Sequence, residues 1–182
     1  MDADSTTVET THSIKRKLFR LAASTSGAAI GLGLVLWQID PPSAPFFLAS
    51  FGGSTIFLFG ISRTPAAQPR AYFGGHLIGI ACGSLCLFLF GTALRVYVVA
   101  FLLAFILMLV TRTVHPPAGA NPLIILHANA PFAVIWPPVL FELLILFAVA
   151  MIWSRLVPKM LPYPSHWNEK SPPTIAWSGW LE

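Results

Sequence analysis

The sequence predicts an all-α integral membrane protein, a compact bundle of six membrane segments of which four are long and two are short and broken. Composition is the first observation: 55% of the 182 residues are apolar, 10% are charged and the mean hydropathy is +0.73, far from an ordinary soluble domain. The second is that 13 Gly and 16 Pro interrupt the chain without making it disordered, because 14 Phe and long Leu/Ile/Val runs accompany them. The third is that the cations gather at segment ends, which suits membrane topology and excludes nucleic acid as a partner.

The chain divides into a polar N-terminal segment (1–18), a transmembrane domain (19–157) and a Pro/Trp-rich surface tail (158–182). Ile14-Lys15-Arg16-Lys17-Leu18-Phe19-Arg20 delivers four cations before an apolar run too long for the core of a cleavable signal peptide. It reads as a cytoplasmic flank and a first span, Phe19 to Ile39, of the length a bilayer needs. Phe46 to Ser62 is shorter and contains Gly52-Gly53, while Ala71 to Phe90 is full length and carries His76. Val96 to Val110 is the purest apolar run, Pro117 to His127 is short and broken, and Val139 to Val157 is full length and carries Glu142.

Lys and Arg set the topology. With six spans the inside holds Lys15, Arg16, Lys17, Arg20, Arg63, Arg70, Arg112, Arg155, Lys159 and Lys170, and only Arg95 is outside. If the short segments dip in and return, there are four spans, and Arg63, Arg70 and Arg112 move outside. The positive-inside rule therefore favours six, with both termini cytoplasmic, in a bacterial inner membrane. A shift of 66 residues lays Gly52-Gly53-Ser54 on Ala118-Gly119-Ala120 and His76 on Glu142, which suggests a 3+3 inverted repeat with sites at the broken helices. Chance alignment of small residues is the alternative.

Four motifs in order bear on family: Ser50-Phe51-Gly52-Gly53-Ser54, Pro65-Ala66-Ala67-Gln68-Pro69-Arg70, Gly74-Gly75-His76 and Thr111-Arg112-Thr113-Val114-His115-Pro116-Pro117-Ala118-Gly119-Ala120. Together, from about Phe19 to Trp167, they resemble the HPP family of integral membrane proteins, named for its His-Pro-Pro motif. The resemblance implies a compact helical membrane domain, usually described with four spans, and a link in some members to nitrite transport.

Polar residues at membrane depth are expensive, so each is a functional candidate. Glu142 is the sharpest and reads as a proton carrier, against a structural acid bonded to a neighbouring helix. His76 sits beside Gly75, Gly79 and Gly83, a small-residue face that admits another helix closely; it is a second proton-coupling candidate, against a structural helix–helix bond. His115 precedes two prolines and is placed in an extended or turn conformation at the mouth of the broken segment, where it is a candidate for ligand handling, against simple capping of the helix opened by Pro116-Pro117. Gly52, Gly53, Ser54 and Thr55, with Gly119 and Asn121, offer small side chains and donors where helix N-termini would cradle an anion. Tight packing without a ligand would use the same residues.

Cys82 and Cys86 lie four apart on one apolar helix face and fit neither CxxC chemistry nor a zinc site, so they read as packing residues. Trp37, Trp136 and Trp153 lie near segment ends, as interfacial aromatics do. No nucleophile motif and no metal-ligand set such as HExxH accompanies the histidines, and no cofactor is called for. The expectation is a transporter or channel for a small anion, nitrite favoured, working in the lipid bilayer, with the glycine faces permitting a homo-oligomer. A membrane scaffold or accessory subunit without its own substrate, and an intramembrane enzyme using His76, His115 and Glu142, are the alternatives.

Overall fold

The computed structural model describes residues 3–38, 47–129 and 132–174. It is all-helical apart from one isolated bridge between Thr113 and Ser171. The first helix, α1, runs Ala3–Gln38. The polar start is thus continuous with the first span, because nothing between Ala3 and Arg20 is a glycine or proline that would break the helix. Asp40-Pro41-Pro42, residue types that suit a turn, lies outside the described residues. Next come α2 (Phe47–Thr55), which passes into a π turn at Ile56–Gly60, a 3₁₀ turn at Pro65–Ala67, and α3 (Pro69–Phe90). Helix α4 (Leu94–Thr111), a 3₁₀ turn at Pro116–Ala120, α5 (Asn121–Ala128) and α6 (Phe132–Leu156) complete the bundle. Four helices are long and apolar enough to cross a membrane: Ile14–Trp37, Pro69–Phe90, Leu94–Thr111 and Ile135–Leu156; Ala49–Gly60 is apolar but shorter.

The local breaks follow from the sequence. Pro69 starts α3 at a position where its missing N–H costs nothing, and Gly91 ends it at φ +69°. Arg112 closes α4 in the left-handed region at φ 55°, with its own N–H on Leu109 O and the Thr113 N–H on Met108 O. That is a Schellman closure made without glycine. The prolines at 116 and 117 then allow only a 3₁₀ turn before α5 begins.

Side-chain contacts fix the path of the chain. Helices α1 and α6 are antiparallel: Trp153 donates its indole N–H to Ala23 O at 2.8 Å, and Leu146 lies against Gly31. Trp153 is therefore a lock between two helices as well as an aromatic near a span end. Helix α3 runs parallel to the turn and α5, since Gly75, Gly79 and Gly83 meet His115, Ala118 and Pro122 in turn. Arg70 reaches Thr111 O, so α4 returns antiparallel to α3. Tyr163, just past α6, donates to Ala67 O at 2.7 Å. The start of α1, the 61–68 loop, the end of α4 and the end of α6 therefore share one end of the bundle, here called the base. Successive segments alternate in direction, so both short segments pass between the two ends rather than turning back.

Cys82 and Cys86 are buried where α3 meets α4, Cys82 with Ala104 and Met108, Cys86 with Val96, Ala100 and Leu126 of α5. The main core joins α1, α2, α3 and α6 through Val35, Phe51, Tyr72, Leu143 and Leu146. The tail does not hang free. It folds back along the base, where Gln68 accepts the N–H groups of Ser165 and His166 at 3.0 and 3.1 Å and Ser171 bonds both Arg112 O and Val114.

A cysteine introduced at Thr64 in a Cys-free variant should be labelled from the same side as one at Lys159 and from the opposite side to one at Arg95. Labelling of Thr64 from the Arg95 side would overturn the alternating path. A Cβ at Gly79 would stand 2.6 Å from Ala118 O, backbone that cannot yield, whereas one at Gly33 meets nothing within 4 Å. Gly79→Ala should therefore lower stability by about 1–3 kcal/mol in detergent unfolding, the usual cost of overpacking, and Gly33→Ala should not lower it.

Candidate functional site

Ser54 stands where the two broken segments meet, buried to 0% exposure together with His76 and His115. Its hydroxyl lies 2.9 Å from His76 Nε2 and 2.9 Å from His115 Nε2. His115 Nδ1 lies 2.7 Å from Ala66 O, and His76 Nδ1 lies 2.9 Å from Asn121 Nδ2. Four of the six candidate polar side chains, from the end of α2, from α3, from the residue before the 3₁₀ turn and from the start of α5, thus form one chain of hydrogen bonds.

The direction of every bond in that chain follows from its ends. A carbonyl only accepts, so His115 Nδ1 carries a proton and donates to Ala66 O, leaving Nε2 as an acceptor. Asn121 Nδ2 only donates, and its orientation agrees with its second neighbour, His76 O at 3.4 Å, which needs a donor. His76 Nδ1 is therefore an acceptor and its Nε2 carries the proton. Ser54 accepts from His76 and donates to His115. Both imidazoles are neutral, in opposite tautomers, with all their ring nitrogens, the Ser54 hydroxyl and the Asn121 amide nitrogen engaged.

Aromatic rings wall the chain. Phe51 stacks on His76 with centroids 6.0 Å apart, Phe57 meets His115 edge-on at 5.3 Å, and Tyr72 meets both imidazoles edge-on at 5.3 Å. Phe51 and Phe57 sit three residues either side of Ser54, and Tyr72 is four before His76, so helical spacing alone would have found them. Gln68 had no such signal: its amide donates to Ser62 O and Thr64 O while its oxygen holds the tail.

The remaining candidates fall elsewhere. Gly53 brings α2 onto Pro117, where an added Cβ would be 3.0 Å from the ring, and Ser50 donates to Pro117 O. Gly52 has open space around it. Gly52 to Thr55 close α2 rather than open a helix, and Thr55 spends its hydroxyl on Phe51 O, so no helix N-terminus is offered there. Gly119 faces Phe101 of α4 at 3.7 Å, away from Ser54. Glu142 is 3% exposed on α6, and its Oε2 has no hydrogen-bond partner among the described residues. It reaches the cluster only through its neighbour: Tyr72 donates its hydroxyl to Leu143 O at 3.1 Å. Among the described residues no group of three or more His, Cys, Asp or Glu side chains is placed to hold a metal ion.

Four membrane-length helices, two broken segments between them and a buried polar chain at their meeting point define a polytopic integral membrane protein. The chain belongs to the HPP transmembrane family, whose model matches residues 13–164. It is also similar to two transmembrane proteins of Dictyostelium discoideum: one 30% identical over 128 residues, covering 66% of this chain and 45% of that protein, the other 32% identical over 130 residues, covering 67% and 42%. The matches thus span less than half the length of these relatives. No solved structure matches.

The bond directions are directly measurable. In ¹⁵N spectra of histidine-labelled protein, His115 should appear as the Nδ1–H tautomer and His76 as the Nε2–H tautomer; the same tautomer at both would break the assignment. Ser54→Ala should leave a donor and an acceptor unpaired, at about 1–3 kcal/mol each, and lower the melting temperature accordingly.

Proposed function

We propose that this protein is a transporter or channel for a small anion, with nitrite the favoured substrate, and that the base of the bundle faces the cytoplasm. The observation that carries this reading is the Ser54–His76–His115–Asn121 chain placed where both broken segments meet. Polar groups and broken backbone are costly in a membrane and persist where they serve a path. His76 lies seven residues into α3, about 10 Å from its start, so the chain sits inside the spanning part near the base. Orientation is supported by charge: Lys15, Arg16, Lys17, Arg20, Arg63, Arg70, Arg112, Arg155 and Lys159 gather at the base, and Arg95 lies at the far end.

One proton changes what the chain offers. In the neutral state every donor is engaged and nothing is left for an anion. A proton added at His115 Nε2 turns that atom into a donor and releases the Ser54 hydroxyl from it. His115 and Ser54 then present donors together, and a monovalent anion entering with that proton crosses without net charge, avoiding about 2.3 kcal/mol per charge per 100 mV. Glu142 is the proton carrier in this scheme, one residue from the carbonyl that holds Tyr72 against both imidazoles.

The inverted repeat has coarse support: α1 packs along α6 as α4 packs along α3, and the short segments meet between them. The glycine face of α3 against α5 has no counterpart on α6, which contains no glycine, and Glu142 does not join the chain as its partner position His76 does.

Flux in proteoliposomes across a panel of anions tests the proposal. Nitrite should move, His115→Ala should abolish flux in protein that still folds, and Glu142→Gln should keep flux while removing its pH dependence. Absence of flux for every anion would favour a scaffold or accessory subunit, in which the chain serves packing alone. Wild-type pH dependence in Glu142→Gln would make that acid structural.

A further inference from the structure

At the edge of the base, away from the histidines, Arg16, Phe19, Pro158 and Lys159 line a groove of about 450 Å³. Its two cations come from opposite directions. Arg16 lies near the start of the first span, which opens at Ile14, and Lys159 lies three residues past Leu156, where the last span ends. Both therefore stand at headgroup level. Lys15, Lys17 and Arg20 flank the groove on α1, and all four α1 cations are exposed. Two acids have described side chains: Glu142 is buried in the core and Glu169 pairs with His166 at 3.5 Å, so neither serves these cations. Phe19, 47% exposed, extends the groove onto the apolar flank of α1.

Lys159 is not a casual surface residue. It holds φ 65°, a left-handed conformation that a long side chain adopts at a cost, at the corner where the tail leaves α6 and turns back along the base. Arg155, one turn earlier, spends its guanidinium on Met151 O and Tyr163 O, so it braces the corner rather than competing for a ligand.

We infer that this groove binds the headgroup of an anionic phospholipid, with the phosphate held between Arg16 and Lys159 and an acyl chain lying along Phe19. Convergent cations at headgroup level select a negative lipid over a zwitterionic one. The apolar wall selects a lipid over a free phosphate, which would gain nothing from it. The inference rests on the membrane path of the chain and is independent of what the protein transports.

Native mass spectrometry of the full chain, released from nanodiscs of equal phosphatidylglycerol and phosphatidylcholine, tests it. Retained phosphatidylglycerol should exceed phosphatidylcholine by roughly thirtyfold, the scale expected of two basic residues at an anionic surface. The Arg16→Gln/Lys159→Gln double variant should bring that ratio close to one, whereas Lys17→Gln should leave it largely unchanged. Equal retention in the wild type overturns the site, as does an equal loss in Lys17→Gln, which would mark a diffuse basic belt. Should the double variant not fold, wild-type melting decides. Phosphatidylglycerol in mixed micelles should raise it, while phosphatidylcholine should not; an equal rise with inorganic phosphate would overturn the lipid assignment.

Discussion

A single hydroxyl joins the two halves of this protein. Ser54 has one proton to give, and the surrounding elements determine where it goes. The Ala66 carbonyl polarises His115, Asn121 polarises His76, and the serine between them accepts from one ring and donates to the other. In a membrane interior a polar group without a partner is costly, so the chain is stable only when all its members are in register. The loop at Ala66, the end of α2, the first turns of α3 and the start of α5 are placed relative to one another by that requirement.

Register is possible because α3 is nearly bare on one side. Gly75, Gly79 and Gly83 let the 3₁₀ turn and α5 approach until backbone meets backbone, which carries Asn121 to within reach of His76. Across from it, Gly53 lets α2 lie on Pro117, and Ser50 fixes the contact. The π turn that follows α2 accommodates the change of direction without an unsatisfied carbonyl at Ile56, which accepts from Ile61 N–H at 3.2 Å. Small residues here are the means by which an imidazole pair is brought to one serine.

Much of the architecture was legible in the sequence because hydropathy and charge are local properties. The four long spans, the two breaks and the collection of cations at one end can each be read without knowing what touches what. The site was legible as a set of residue types and not as an arrangement. His76 and His115 lie 22 and 61 residues from Ser54, and nothing in the spacing says that both turn toward it. Ala66 contributes through a carbonyl, which every residue possesses. The helix-terminus argument failed at Gly52 to Thr55 because the glycines there end α2 instead of beginning it, and Gly119 points to α4. The tail was legible in part for a related reason: its prolines and tryptophans rule out a span and mark a surface segment, but do not reveal that Gln68, Arg112 and Val114 hold it.

That tail has a consequence for how the molecule is made. His115 sits in a loop whose neighbour, Val114, is held by Ser171, and its acceptor Ala66 is next to Ala67, which is held by Tyr163. The bonds that pin these loops join residues 57 to 98 positions apart; none of them is available until residue 163 has left the ribosome, and the set is complete only with residue 171. The membrane helices can insert one after another while the base is still loose, and the polar chain acquires its outer support last. Contacts of such long separation form slowly. A newly inserted molecule therefore passes through a stage in which its spans are in place and its buried histidines are less shielded from the base than in the finished fold.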